Sequence, residues 1–118
     1  MYGKLAVAAV TAILGSFALA PAAQAHWVSV SPRYGAVFQP FTFTGTKWQP
    51  YRKVTVLYDQ NANGRFNQTG KVYPNGNGYF RFRWNGEDVA DTHRMCFRQF
   101  DTRYGRYYSA CKLFTANT

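Results

Sequence analysis

The chain has 118 residues, with 14 Lys and Arg against 5 Asp and Glu, and its formal net charge is +9. This length allows one small domain, whose core alone leaves it marginally stable. A chain with so few acids can form few of the carboxylate pairs that acid–base catalysis uses. The excess of cations predicts attraction to polyanions.

Residues 1–25 have the pattern of a cleaved secretory signal. Lys4 precedes an apolar run, and the segment ends in the small-x-small sequence AQA at Ala25, which signal peptidase cuts. The apolar run is shorter than the roughly 20 residues that span a bilayer, so we predict no transmembrane anchor. Cleavage near Ala25 would release one domain, residues 26–118, with a net charge of +8 once Lys4 is removed, into the periplasm or the extracellular space.

From residue 26 onward, short alternating segments are separated by Gly, Pro and Asn, which is the signature of an all-β domain. The pattern predicts seven strands, in chain order at residues 27–31, 41–44, 52–58, 66–73, 78–84, 93–100 and 106–115. The fourth is polar and contains a glycine, which predicts an edge strand. It also carries the glycosylation sequon that begins at Asn67, which we expect to be silent in a bacterial protein.

The fifth predicted strand has the clearest period of two. Phe80 and Phe82 point to one side with Trp84, whereas Arg81 and Arg83 point to the other. The pattern therefore predicts that one face of this strand is buried against a core and that the other is in water.

Two cysteines lie in the last two predicted strands. In a simple antiparallel register across the turn that ends at Gly105, Cys96 and Cys111 are opposite each other, which predicts a cross-strand disulfide. In an oxidising compartment this bridge would contribute about 3 kcal/mol of stability. No CxxC redox motif is present, and two thiols make a poor zinc site, so we expect a structural role.

Several stretches resemble the small Ig-like domains of secreted and surface bacterial proteins. They are VSP with the glycine that follows, FTFTGTKWQP, KVTVLYD, GNGYFRF and DTHRMCFRQ. Together with seven strands in about 90 residues, the resemblance implies a seven-stranded antiparallel immunoglobulin-like sandwich. A disulfide between neighbouring strands is closer to the neocarzinostatin-type apoproteins than to antibody domains, although that family carries more cysteines.

The stretch YDQNANGRF spaces Asp59, Asn61 and Asn63 like the start of a calcium-binding loop. Such a loop needs a bidentate acid at its twelfth position, and here that position is Gly70. An Asn-Gly pair in the same stretch supplies the turn that the third and fourth strands require. We therefore interpret the stretch as a strand connection and keep calcium at these three residues as the alternative.

A copper site is a further alternative. As the mature N-terminus, His26 would offer an amine and an imidazole, and Asp91 with His93 would add two more ligands for Cu(II). The start HWVSVSPRYGA is similar to that of CopC-type periplasmic copper carriers, which are β-sandwiches with an Asp-x-His pair. Alternating strands, however, place His26 and His93 at opposite ends of the sandwich, about 17–26 Å apart. Our main interpretation therefore has no cofactor.

Catalytic motifs are absent from the sequence. There is no G-x-S-x-G elbow, phosphate loop or dinucleotide fingerprint. The acids Glu87, Asp88 and Asp91 crowd into one loop, where we expect water to solvate them. We predict that the protein is not an enzyme.

The last hairpin concentrates the side chains that bind anions. Arginine offers a fork of donors to carboxylate or phosphate, and tyrosine stacks on sugars or bases. The candidate binding residues are Arg98, Arg103, Tyr104, Arg106 and Tyr108. They predict a binding or adhesion module for acidic polysaccharide, cell-wall polymer or another anionic surface, and secretion disfavours nucleic acid. Two alternatives stay open: the tyrosines cover a small core while the arginines protect strand edges, or the chain is a structural, self-assembling surface protein.

Overall fold

The computed structural model describes residues 25–85 and 87–118, so the predicted signal up to residue 24 lies outside the described part. The described residues form two packed β-sheets. In chain order their strands are β1 (Trp27–Ser31), β2 (Tyr34–Ala36), β3 (Phe41–Thr46), β4 (Val54–Asp59), β5 (Gln68–Val72), β6 (Phe80–Trp84), β7 (Asp91–Asp101) and β8 (Arg106–Asn117). One sheet has the order β1-β3-β6 and the other the order β2-β8-β7-β4-β5. Within these residues no helix has the length and apolar character that a membrane span requires.

The predicted Ig-like sandwich and its cross-strand disulfide are confirmed. Cys96 pairs with Cys111 in the antiparallel register of β7 and β8, and their sulfur atoms are bonded at 2.06 Å. The polar β5 is an edge strand, as predicted. The structure adds β2, which has only three residues and pairs parallel to the end of β8. Its sequence YGA is too short to show an alternation, which explains why the sequence pattern did not reveal it.

The core lies between the two sheets and follows the alternation of the strands. Alternate residues of β3 and β4 are fully buried, and each such aliphatic or aromatic side chain contributes roughly 1.5–3 kcal/mol by leaving water. In β6, Phe80 is buried while Arg81 and Arg83 are exposed, as the pattern predicted. The Phe80 ring packs over Gly45, where any side chain would collide with it.

Trp48 closes one end of this core from the loop between β3 and β4. Its side chain is completely buried, and its indole Nε1 donates a hydrogen bond to the backbone oxygen of Trp27 (2.9 Å). The loop is therefore tied to the start of β1. This contact fixes the position of the residues just before β1, which include His26.

Candidate functional site

The five predicted hairpin residues do not form one patch. Successive residues of a strand point to opposite faces of the sheet. Arg98 is exposed between the buried Phe97 and Gln99, so it lies on the outer face. Tyr108 pairs with Gln99, points to the inner side and contacts His26. The hairpin thus contributes to two separate regions.

The first region, which we call the His26 cluster, consists of His26, Asp101, Arg103, Tyr104 and Tyr108. The Asp101 carboxylate is completely buried and receives several donors. His26 Nε2 lies 2.7 Å from Asp101 Oδ2, and the Arg103 side chain donates to both carboxylate oxygens (3.0 and 2.7 Å). The backbone N–H of Arg103 adds a further bond to Oδ1 (2.9 Å). Arg103 is therefore engaged in holding a buried acid.

The imidazole of His26 is enclosed by aromatic rings. It stacks on Tyr108 at 4.0 Å between ring centroids and meets the edge of Trp48 at 5.0 Å. The Arg106 Nε donates to the Tyr108 hydroxyl (3.1 Å). The backbone N–H of His26 donates to the oxygen of Lys47 (3.1 Å). Tyr104 adds an edge contact to the imidazole at 6.3 Å between ring centroids. These contacts join the start of β1 to the turn between β7 and β8, so both predicted tyrosines have structural contacts.

Burial lowers the pKa of His26, and the nearby Asp101 opposes this only in part. The geometry gives the reason: Nε2 is already directed at Asp101, while Nδ1 is buried without a hydrogen-bond partner among the described residues. A second proton would therefore create a buried, unpaired N–H. Burial acts to raise the pKa of Asp101, but the hydrogen bonds from Arg103 and His26 outweigh it, so that pKa is lowered. The hydrogen bond that Arg103 donates to Asp101 raises the pKa of Arg103.

The structure does not place the three proposed copper ligands, His26, Asp91 and His93, close together. His26 contacts Asp101 at the end of β7, whereas Asp91 and His93 lie at its start. The eight residues from His93 to Asp101 separate their Cα atoms by about 26 Å. His93 is fully buried, with Nδ1 2.5 Å from the oxygen of Gln60 and Nε2 2.9 Å from that of Val89. In the described ranges, no three His, Cys, Asp or Glu side chains are grouped as metal ligands.

The expectation that water solvates Glu87, Asp88 and Asp91 is wrong for Glu87. Glu87 is buried and accepts hydrogen bonds from the Tyr58 hydroxyl (2.5 Å) and the Trp84 indole (3.1 Å). Burial raises the pKa of Tyr58, and its hydrogen bond to Glu87 adds to the effect. Asp88 and Asp91 are exposed, as expected.

Asp59, the first residue of the calcium alternative, has a structural role. Its side chain is fully buried, with Oδ1 accepting the backbone N–H of Asn63 (3.1 Å) and Oδ2 that of Gly64 (2.6 Å). Arg94 is 3.9 Å from the same carboxylate. Asn61 and Asn63 are exposed in the connection between β4 and β5, and Gly64 has the positive φ of 86° that this turn requires. The carboxylate thus closes the turn that we predicted as a strand connection.

The second region lies on the outer face of the five-stranded sheet. It is an open cavity of about 490 Å³, which we call the cationic groove. Three cationic and three aromatic side chains line it together with one threonine: Arg52, Lys53, Arg98, Tyr51, Phe100, Tyr107 and Thr55. The register of β4 and β7 creates it, because Thr55 pairs with Arg98 and brings the segment before β4 beside the end of β7.

Aromatic contacts hold the two arginines of the groove. The guanidinium carbon of Arg98 lies 4.2 Å from the ring centroid of Tyr107. Arg52 donates its Nε–H to the backbone oxygen of Phe100 (2.8 Å), and its guanidinium carbon is 5.7 Å from the Phe100 ring. A stacked guanidinium keeps donors at its edge, where they can meet a planar anion.

The distribution of acids leaves the charge of the groove unbalanced. Of the five acids, Asp59, Glu87 and Asp101 are buried and bonded internally. The exposed Asp88 and Asp91 lie before or at the start of β7, whereas the groove lies towards its end. In the described part of the chain no carboxylate forms a salt bridge with any cation of the groove.

Sequence reasoning found one arginine of the groove, Arg98, and missed the residues that surround it. Tyr51, Arg52 and Lys53 precede β4, and only the non-local pairing of β4 with β7 brings them to Arg98. The one available signal was the cluster YRK in a basic chain, since it places an aromatic ring beside two cations.

Comparisons with known proteins bear on the fold. No family model matches the chain, and no curated protein matches its sequence. Among solved structures, the match to macromomycin has a TM-score of 0.52 and 13% identity, and it covers 78% of this chain and 99% of that one. The two chains share an Ig-like sandwich fold. At this identity the similarity extends to the fold alone, so any binding site has to be argued from the residues of this chain.

Proposed function

We propose that this protein is a secreted, non-catalytic binding module that holds an acidic glycan in the cationic groove. The observation that carries the proposal is the pair of arginines fixed beside aromatic rings, Arg98 on Tyr107 and Arg52 beside Phe100. Neither has a carboxylate partner in the described residues, so both retain charge for a ligand.

The chemistry of the groove fits a sugar that carries carboxylates. Guanidinium groups bind carboxylates through two parallel hydrogen bonds, and exposed tyrosine rings pack on the apolar faces of sugars. Tyr51 and Tyr107 are 74% and 59% exposed, so both rings are available to a ligand. The volume of about 490 Å³ lies within the range of small-ligand sites, roughly 300–1,000 Å³.

Separate observations support secretion and a non-catalytic role. The disulfide between Cys96 and Cys111 suits an oxidising compartment, and the sequence of residues 1–25 has the signal pattern. Among the described residues, the groove is lined by no histidine, cysteine or carboxylate, the groups that most often move protons at neutral pH. Its side chains therefore suit holding an anion.

The test is a titration of the disulfide-bonded mature chain with polygalacturonate at low ionic strength. The Arg52→Ala/Arg98→Ala variant should bind at least about a hundredfold more weakly, because it loses two charged contacts and each charged hydrogen bond contributes about 1.5–3 kcal/mol. The matched control is Arg33→Ala/Arg65→Ala, which removes the same charge far from the groove. It should stay within about threefold of the wild type, and salt should weaken wild-type binding.

Two results would contradict the proposal. Equal losses in both double variants would mean that binding follows net charge and that the groove is not the site. Failure of the wild type to bind polygalacturonate at low salt would remove acidic glycans as the ligand class.

A further inference from the structure

The outer face of the three-stranded sheet carries two parallel rows of polar side chains. The register aligns Ser29 with Thr44 and Arg81 in one row, and Ser31 with Thr42 and Arg83 in the next. The rows are about 6.7 Å apart, since two residues of a strand separate them. We call these six residues the hydroxyl face.

The arginines of the hydroxyl face have neutral partners. Arg81 donates to the Tyr79 hydroxyl (3.0 Å), and Arg83 donates to the side-chain oxygen of Asn85 (3.1 Å). Both arginines are exposed. No carboxylate of the described residues forms a salt bridge with either, so their charge is uncompensated.

Trp27 adds an aromatic platform to the same face. It has the strand parity of Ser29 and Ser31, and 60% of it is exposed. Trp48, in contrast, is fully buried, and Trp84 is half-buried against the core. Indole is the largest aromatic surface that a protein offers, and exposing it on a polar sheet face costs solvation that a bound partner would recover.

We infer that the hydroxyl face is a second binding surface for a carboxylated glycan chain. Trp27 receives the apolar face of a sugar, the serine and threonine hydroxyls exchange hydrogen bonds with sugar hydroxyls, and Arg81 and Arg83 bind carboxylates. The face lies on the opposite side of the sandwich from the cationic groove. The hydroxyl face does not depend on the proposed function. If that function also holds, one protein molecule binds one glycan chain on each side and bridges the two.

The experiment measures how well acrylamide quenches tryptophan fluorescence when a short oligogalacturonate is added. Trp27 is the exposed indole, so a ligand on the hydroxyl face should shield it and reduce quenching. Shielding should persist in Arg52→Ala/Arg98→Ala and disappear in Arg81→Ala/Arg83→Ala. Calorimetry should find two bound oligomers per wild-type molecule and one in each double variant. Polyphosphate, which has no sugar ring, should bind without shielding Trp27.

The outcomes separate this inference from the proposed function. If binding depends on Arg52 and Arg98 but the oligogalacturonate leaves the quenching of the wild type unchanged, the hydroxyl face is overturned and the groove is retained. Shielding that depends on Arg81 and Arg83, with no effect of the groove variant on affinity, would support the face and overturn the groove. Equal shielding by polyphosphate would overturn the glycan as its ligand.

Discussion

Arg98 and Arg103 lie five residues apart in one hairpin, yet the fold uses them differently. Arg103 donates two side-chain hydrogen bonds to the buried Asp101, so its charge is already neutralised. Arg98 rests on the Tyr107 ring at 4.2 Å, and no described carboxylate forms a salt bridge with it. Because both arginines have tyrosine neighbours, composition alone cannot distinguish them. The partner of the guanidinium decides which arginine is free to bind.

The same contrast extends to the two regions as a whole. In the His26 cluster, a buried acid gathers a histidine and an arginine and ties the start of β1 to the turn after β7. In the cationic groove, three cations and two tyrosines are exposed to solvent, and none of the described acids lines it. Three of the five acids are buried, so the fold uses its scarce carboxylates for stability and leaves its outer faces cationic.

The largest expected effect comes from removing the acid that distinguishes the two regions. Asp101→Ala leaves His26 and Arg103 without their partner and should lower the free energy of unfolding by about 3 kcal/mol, the low end for a broken buried pair. The low end applies because the Arg103 side chain is 41% exposed and can turn to water. Urea unfolding at pH 7 measures the change.

Asp88→Ala is the matched control, since it removes an exposed carboxylate and should change stability by no more than about 0.5 kcal/mol. Equal stability of the two variants would mean that the His26 cluster does not hold the fold together.

A smaller effect is the dependence of stability on pH. The pKa of His26 is lowered in the folded chain, so the unfolded chain takes up a proton first as the pH falls below about 6.5. Stability should therefore decrease from pH 7 towards pH 5. Asp101, whose pKa is also lowered, should add a further decrease below about pH 4 as its carboxylate is protonated.

Urea midpoints between pH 7 and pH 5 test the contribution of the imidazole. The slope should flatten in His26→Gln, which keeps a polar side chain but cannot titrate. An unchanged slope in that variant would show that other groups cause the dependence.

The smallest effect concerns the ring beneath Arg98. Tyr107→Ala should weaken binding of polygalacturonate by about two- to fivefold, because the ring no longer holds Arg98 in place for the ligand and an exposed cation–π contact is worth about 0.5–1 kcal/mol. Tyr34→Ala is the control, since Tyr34 is 69% exposed and also lies near an arginine, Arg33, but outside the groove. Equal losses in the two variants would remove Tyr107 from the site.

Local pattern was enough to predict most of the fold. β1, β4 and β6 alternate clearly, and the spacing of the two cysteines about the turn indicated the register of the last hairpin correctly. The short β2 could not be predicted from the sequence, because it exists only through its pairing with the end of β8. β7 and β8 also extend further than the sequence indicated, to 11 and 12 residues, because their mutual pairing continues through polar positions.

The His26 cluster and the cationic groove were less accessible from sequence, because the parts of each are distant along the chain. His26 and Asp101 are 75 residues apart, and nothing local marks Asp101 as the partner of that histidine. Arg98 and Tyr107 could be placed on one face from the hairpin register, but Arg52 joins them only through the pairing of β4 with β7. Residue type pointed to a cationic and aromatic hairpin, and non-local pairing determined which of its arginines have a carboxylate partner among the described residues.

The most direct test compares Arg98→Ala with Arg103→Ala for affinity to polygalacturonate at low salt, under conditions where circular dichroism shows both to be folded. The two variants lose the same charge from the same hairpin. Arg98→Ala should bind about tenfold more weakly, since a charged hydrogen bond contributes at least about 1.5 kcal/mol, while Arg103→Ala should stay within about twofold of the wild type. A loss in Arg103→Ala equal to or larger than that in Arg98→Ala would contradict the assignment of the groove as the binding site.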